Sequence, residues 1–191
     1  MGPDVRIAVL AWGSLVWKPR NDHGELSVAG DWQTDGPELP IEFARISYDG
    51  RLTLILTPGY PHLSRVMWAI SALEDLDEAI ANLATRETNA PIDCIHGVGA
   101  GLTVGAPDPS VVETVSSWLD EKPYLDAAIW TGLGPGPRWG AGGWGIEQAL
   151  HHLSLQRGAA RERALEYVRM APHQIDTPVR RALEAQSQRI R

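Results

Sequence analysis

The sequence predicts an α+β protein with a mixed, barrel-like β-sheet, flanking helices and a C-terminal helical extension. Three observations carry that prediction. Strand-like runs crowd the first half of the chain, and three helical stretches follow one another from residue 146 onward. An Asp49-Gly50 pair separates two strand-like runs at 41–48 and 52–57, which is a strong hairpin signal. The strands and helices do not alternate in the regular manner of a parallel sheet.

Residues 5–11 are aliphatic and read as a buried strand. Residues 18–39 are rich in Gly, Asp and Pro and are expected to form a long surface loop. Leu52, Leu54 and Leu56 alternate with Thr53, Ile55 and Thr57, so the second hairpin strand has one face firmly buried. Residues 66–72 give another strand. Over 74–87 the period changes: Leu76, Ile80 and Leu83 recur at helical spacing, behind acids that suit the first turn of a helix. Residues 92–104 return to short strand pieces broken by Gly97, Gly99 and Gly101, a pattern read as tight strand packing or a bulge. A short helix over 111–119 and a strand over 125–131 follow. The stretch 132–145, dense in Gly and Pro and carrying Trp139 and Trp144, must be a loop, either a lid over a cleft or a connector. Helices are predicted at 146–156, 159–171 and 178–189; the last begins with Thr177-Pro178, a capping hydroxyl followed by proline.

At 191 residues the chain supports one good core, so it is read as a single domain over 1–191, with 146–191 a helical extension packed on it. That extension is too short to hold a core alone. It must pack on the sheet or on another copy of the chain, and a homodimer is predicted. A formal charge of −7 gives no long-range attraction to phosphate backbones, so no nucleic-acid partner is expected. The arginines of the last third (Arg157, Arg161, Arg163, Arg169, Arg180, Arg181) are interleaved with Glu and Ala and read as a solvated helical face. Cys94 stands alone, which excludes an intrachain disulfide and suits a reducing compartment. No run approaches the ~20 apolar residues of a membrane span, and the first residues lack a secretory pattern, so a cytoplasmic protein is expected. Eight Trp against one Phe suggest that several indoles line a groove or an interface.

Two features point to chemistry. The first strand runs without any polar loop into Trp12-Gly13-Ser14-Leu15-Val16-Trp17. A strand ending this abruptly leaves backbone N–H groups to be satisfied by protein, water or ligand. Gly13 permits close approach of a bound group, and Ser14 adds a hydroxyl. The second feature is Glu87. At about 100° per residue it lies roughly 20° from Leu76 on the helical wheel, so a carboxylate continues the apolar stripe of the 74–87 helix. Burial there would raise its pKa toward the range useful for acid–base chemistry. The plainer alternative is a frayed helix end with Glu87 turned to solvent or paired with Arg86.

Together, the Gly-Ser turn and the helix-ending Leu83-Ala84-Thr85-Arg86-Glu87 resemble the gamma-glutamylcyclotransferase-like superfamily, most closely its ChaC-type branch. In that superfamily a Tyr-Gly-Ser turn after the first strand binds the glutamyl part of the substrate, and a single downstream Glu acts as acid and base. The resemblance spans roughly residues 5–131. It implies Glu87 as the catalytic residue, Trp12, Gly13, Ser14 and Leu15 as the substrate-binding turn, a small gamma-glutamyl substrate, and no metal or organic cofactor. Two departures stand out: Trp12 takes the place of Tyr, removing a phenol from the turn, and Thr88-Asn89-Ala90-Pro91 follows Glu87 where an aromatic residue is usual. The helices after residue 146 have no matched counterpart.

Two other readings compete. A non-catalytic relative would use the same fold to bind a small molecule or another protein, with Trp12 or Trp17 filling the pocket. A serine nucleophile at Ser14 lacks both the Gly-x-Ser-x-Gly elbow and a suitably spaced His. Metal binding is weaker still, because His151 and His152 point about 100° apart on a helix.

Overall fold

Residues 5–87, 91–99, 101–139 and 143–188 are described in a computed structural model of the chain. All five residues of β1 (Ile7–Ala11) are buried, as befits a strand covered on both faces. β2 (Val28–Gln33), β3 (Glu38–Leu39), β4 (Ile41–Ile46), β5 (Leu52–Leu56), β6 (Ser64–Arg65) and β7 (Met67–Ser71) follow before the first helix, α1 (Leu76–Arg86). Next come β8 (Ile95–Gly99), β9 (Leu102–Val104), α2 (Pro109–Asp120) and β10 (Ala127–Thr131). The chain then closes with α3 (Ile146–Leu155), α4 (Gly158–Met170) and α5 (Pro178–Gln188).

The main sheet has six strands in the order β2-β7-β1-β10-β8-β9. β1 and β10 run parallel, and their neighbours pair antiparallel. The fold is therefore α+β with a mixed sheet, but the sheet does not close into the expected barrel. β2 and β9 stand at its two edges, largely exposed, and do not pair with each other. The β4–β5 hairpin, turned at Asp49-Gly50, pairs with itself as a separate two-stranded sheet. The predicted loop over 18–39 is also corrected, since it holds β2 and β3. Ala29-Gly30-Asp31 carries no apolar alternation, and a register shift interrupts β2 against β7. Gly99 fits the tight-packing expectation: a Cβ there would lie 2.5 Å from the Cα of Ala127 on β10.

Each face of the sheet has its own core. α1 covers one face, setting Ile80 and Leu83 against Ile7, Val9, Ala11 and Ile129. It is capped by the Asp75 carboxylate, which accepts from the Glu78 N–H. On the other face, Leu10, Trp12 and Trp130 meet the β4–β5 hairpin, α2 and the C-terminal helices, which contribute Leu153, Tyr167, Val168 and Val179. Two buried ionisable groups hold the C-terminal helices there. Glu42 on β4 is fully buried and accepts from the backbone N–H of Phe43 (2.7 Å) and of Val179 in the first turn of α5 (3.3 Å). Arg180 donates to the carbonyls of Val168, Ala171, Pro172 and Ile175. That corrects the reading of Arg180 as part of a solvated face; the other five arginines of that group are exposed.

Four of the eight tryptophans (Trp12, Trp68, Trp118, Trp130) are core residues and four are half-buried. Two of the latter pin the 132–145 loop to the hairpin: Trp139 donates to the Ala44 carbonyl (2.8 Å) and Trp144 to the Phe43 carbonyl (3.1 Å). These carbonyls lie where β4 bulges away from its pairing with β5, so the indoles cover an otherwise open strand edge. Among the described residues no helix is long and apolar enough to cross a membrane.

Candidate functional site

The candidate site lies at the carboxyl ends of the parallel pair β1 and β10, the end of a sheet where parallel strands commonly open a crevice for ligands. β1 delivers Trp12 and Gly13 into a helix-like turn in which Val16 N–H donates to the Gly13 carbonyl (3.0 Å) and Lys18 N–H to the Ser14 carbonyl (2.8 Å). The carbonyls are thereby satisfied. The N–H groups of Gly13, Ser14 and Leu15 find no backbone acceptor among the described residues. They form the donor-rich end of the turn.

α1 packs across β10 and β8 and ends beside this turn, where Arg86 reaches the Ser14 carbonyl. Its last residue, Arg86, is 4 % exposed and donates to the carbonyls of Pro19 (2.9 Å), Ser14 (3.4 Å) and Lys18. A buried guanidinium spending its donors on one loop locks the helix end to that loop. Glu87 follows at the helix C-cap, where its own N–H closes the helix on the Leu83 carbonyl (3.0 Å). Its carboxylate approaches Arg86 Nη1 at 3.4 Å, and its side chain is 20 % exposed. It is sheltered yet not sealed from solvent. Burial pushes the Glu87 carboxyl above the usual carboxylate range, with the charges of Arg86 and Arg45 partly offsetting that push. The pairing with Arg86 and the shelter therefore coexist.

A residue that the sequence did not single out completes the constellation. Tyr167 on α4 arrives from the opposite face of the sheet and points its hydroxyl at the turn. A Cβ built on Gly13 would lie 2.6 Å from Tyr167 Oη. The ring is held edge-on by Trp17 (5.1 Å between centroids) and Phe43 (6.3 Å), with the Arg51 guanidinium 5.7 Å from the ring centre. Burial pushes the phenol up to about 12 and the negative charge of Glu87 adds to this, while the backbone N–H groups of Leu54 and Ser14 favour the ionised oxygen. Gly13, Ser14, Glu87 and Tyr167 thus come together. The signal was present as an Ala164-Tyr167-Val168 stripe at helical spacing, but such a stripe reads as plain core.

The other two turn residues face elsewhere. Trp12 is buried in the core, and its Nε1–H donates to the Leu54 carbonyl (3.3 Å). The indole anchors β5 and does not offer its N–H to a ligand. Leu15 is buried in the core beneath α1, so only its backbone remains for the site. Thr131, at the end of β10, carries a buried hydroxyl with no hydrogen-bond partner among the described residues. Thr88, Asn89 and Ala90 lie outside the described residues. Neither a family model nor a curated protein nor a solved structure matches this chain.

Proposed function

We propose that this protein is a gamma-glutamylcyclotransferase-like enzyme, converting a gamma-glutamyl amide into 5-oxoproline and a free amine. One observation carries the reading: a sheltered carboxyl, Glu87, stands beside a strand-end turn whose Gly13 and Leu15 N–H groups find no backbone acceptor among the described residues. The α-amine of the glutamyl group attacks its own side-chain carbonyl carbon, forming the ring C–N bond. The amide C–N bond then breaks. Glu87 takes a proton from the attacking nitrogen and returns it to the leaving nitrogen. A raised pKa suits both halves of that exchange. The N–H groups of Gly13 and Leu15 hold the substrate carboxylate. Because the nucleophile is tethered to its target, the protein's main task is to hold the folded-back conformer.

The test incubates the purified protein with a panel of gamma-glutamyl compounds, glutathione and gamma-glutamylamines included, and assays 5-oxoproline. Glu87→Gln should lower kcat by at least ~10²-fold, with the melting temperature unchanged or raised. A Glu87→Gln protein that keeps full activity refutes the assignment.

A further inference from the structure

The Tyr167 hydroxyl has no part in the scheme above, although it stands over the same turn. We propose that Tyr167 is the hydrogen-bond donor that receives the reacting carbonyl oxygen in the site formed by Glu87 and the Gly13–Ser14 turn, so that the C-terminal helices complete this site; the carbonyl's identity rests on the cyclotransferase reading.

Position comes first. The oxygen lies 2.6 Å from where a Gly13 Cβ would be, so the missing side chain at Gly13 is the space the hydroxyl occupies. The ring is fixed by Trp17, Phe43 and Arg51, and Tyr167 is only 7 % exposed. A donor held this firmly needs no reorganisation when charge develops on its acceptor. The backbone N–H groups of Leu54 and Ser14 face the phenol oxygen from the acceptor side. The proton is therefore the part of the hydroxyl left for a ligand. With burial and Glu87 holding the phenol far above neutrality, the donor stays protonated across the working range. The oxygen of an amide carbonyl gains negative charge as the ring closes. Tyr167 meets that charge with a hydrogen bond and keeps its proton, while the transferred proton travels through Glu87.

The test uses the full-length wild type, Tyr167→Phe and Glu87→Gln. Tyr167→Phe preserves the ring contacts and deletes only the hydroxyl. In the wild type, the ¹³Cζ resonance of Tyr167, identified by its loss in Tyr167→Phe, should show an inflection as Glu87 titrates, above the ordinary carboxylate range. That inflection should vanish in Glu87→Gln. With a gamma-glutamyl substrate, Tyr167→Phe should lower kcat by ~10²–10³-fold while KM stays within ~3-fold. Wild-type kcat in Tyr167→Phe overturns the proposal, as does a Tyr167 resonance indifferent to Glu87. A wild type inert toward every gamma-glutamyl compound sinks the cyclotransferase reading and the carbonyl assignment with it. The Tyr167 inflection would then decide separately whether the hydroxyl belongs to the Glu87 site.

Discussion

Adding one methyl group at Gly13 tests the geometry of the site without any substrate. In Gly13→Ala the new Cβ would sit 2.6 Å from Tyr167 Oη, against an ordinary contact beginning near 3.4 Å, an overlap of about 0.8 Å. The next atom of that ring, Cζ, is 3.8 Å away and does not clash. Gly13 does not occupy the left-handed region of backbone space, so alanine brings no backbone strain. Overpacking of this size in a close-packed region costs ~1–3 kcal/mol. Reduced freedom of the unfolded chain returns ~0.4–1 kcal/mol. Gly13→Ala should therefore lose up to ~2.6 kcal/mol in the wild-type background, with a mid-range value of ~1.3 kcal/mol, or ~3–5 °C in melting temperature for a chain of this size. In the Tyr167→Phe background the clashing oxygen is gone, and the same methyl should be neutral or slightly stabilising. Urea unfolding of the four proteins, followed by far-ultraviolet dichroism and tryptophan fluorescence, gives the coupling energy directly. Equal losses from Gly13→Ala in both backgrounds would show that Tyr167 does not stand over the turn.

Glu87 and Glu42 are both held above the usual carboxylate range by burial, so the folded protein binds their protons more tightly than the unfolded chain does. Their contribution to stability is fully present below the unfolded value and is lost as pH rises through the raised midpoints. The melting temperature of Glu87→Gln should accordingly pull ahead of the wild type as pH rises above the ordinary carboxylate range and converge with it at lower pH; a gap that shrinks with rising pH contradicts the shelter assigned to Glu87. Replacing Arg180 with Met removes the donor to four carbonyls at the end of α4 and should cost ~2–4 kcal/mol. Amide exchange at the end of α4 and in the segment leading to α5 should accelerate, and an unchanged exchange pattern would contradict the pinning role.

Local signals made most elements legible. The β4–β5 hairpin announces itself through Asp49-Gly50, α1 through Leu76, Ile80 and Leu83 behind a run of acids, and α5 through Thr177-Pro178. The exposed edges were harder to read. β2 has only a half-buried face, Val28 and Trp32 with Gly30 between them, and a broken register, so little in its residues separates it from a loop. Closure of the sheet depends on those same edges, which is why periodicity alone suggested a barrel. The site divides in the same way. Gly13, Ser14 and Glu87 belong to local patterns, a strand end and a helix stripe. Tyr167 comes within reach only through the packing of α4 against β5, and Arg180 is buried only because the end of α4 and the segment after it fold around its guanidinium.

Trp12 and Tyr167 make sense as one arrangement. The Trp12 side chain falls on the hairpin side of the sheet, where its N–H is spent on the Leu54 carbonyl. A large, committed indole at this position leaves the turn without a hydroxyl of its own. Leu54 answers on both sides, since its carbonyl takes the Trp12 N–H while its own N–H faces the Tyr167 oxygen. The indole thus fixes the strand whose backbone orients the phenol, and the phenol enters from a helix more than a hundred residues downstream. Glu42 and Arg180 hold the segments flanking that entry. A substitution weakening either of them should disturb the site through the placement of Tyr167, with Glu87 and the turn left in position by Arg86.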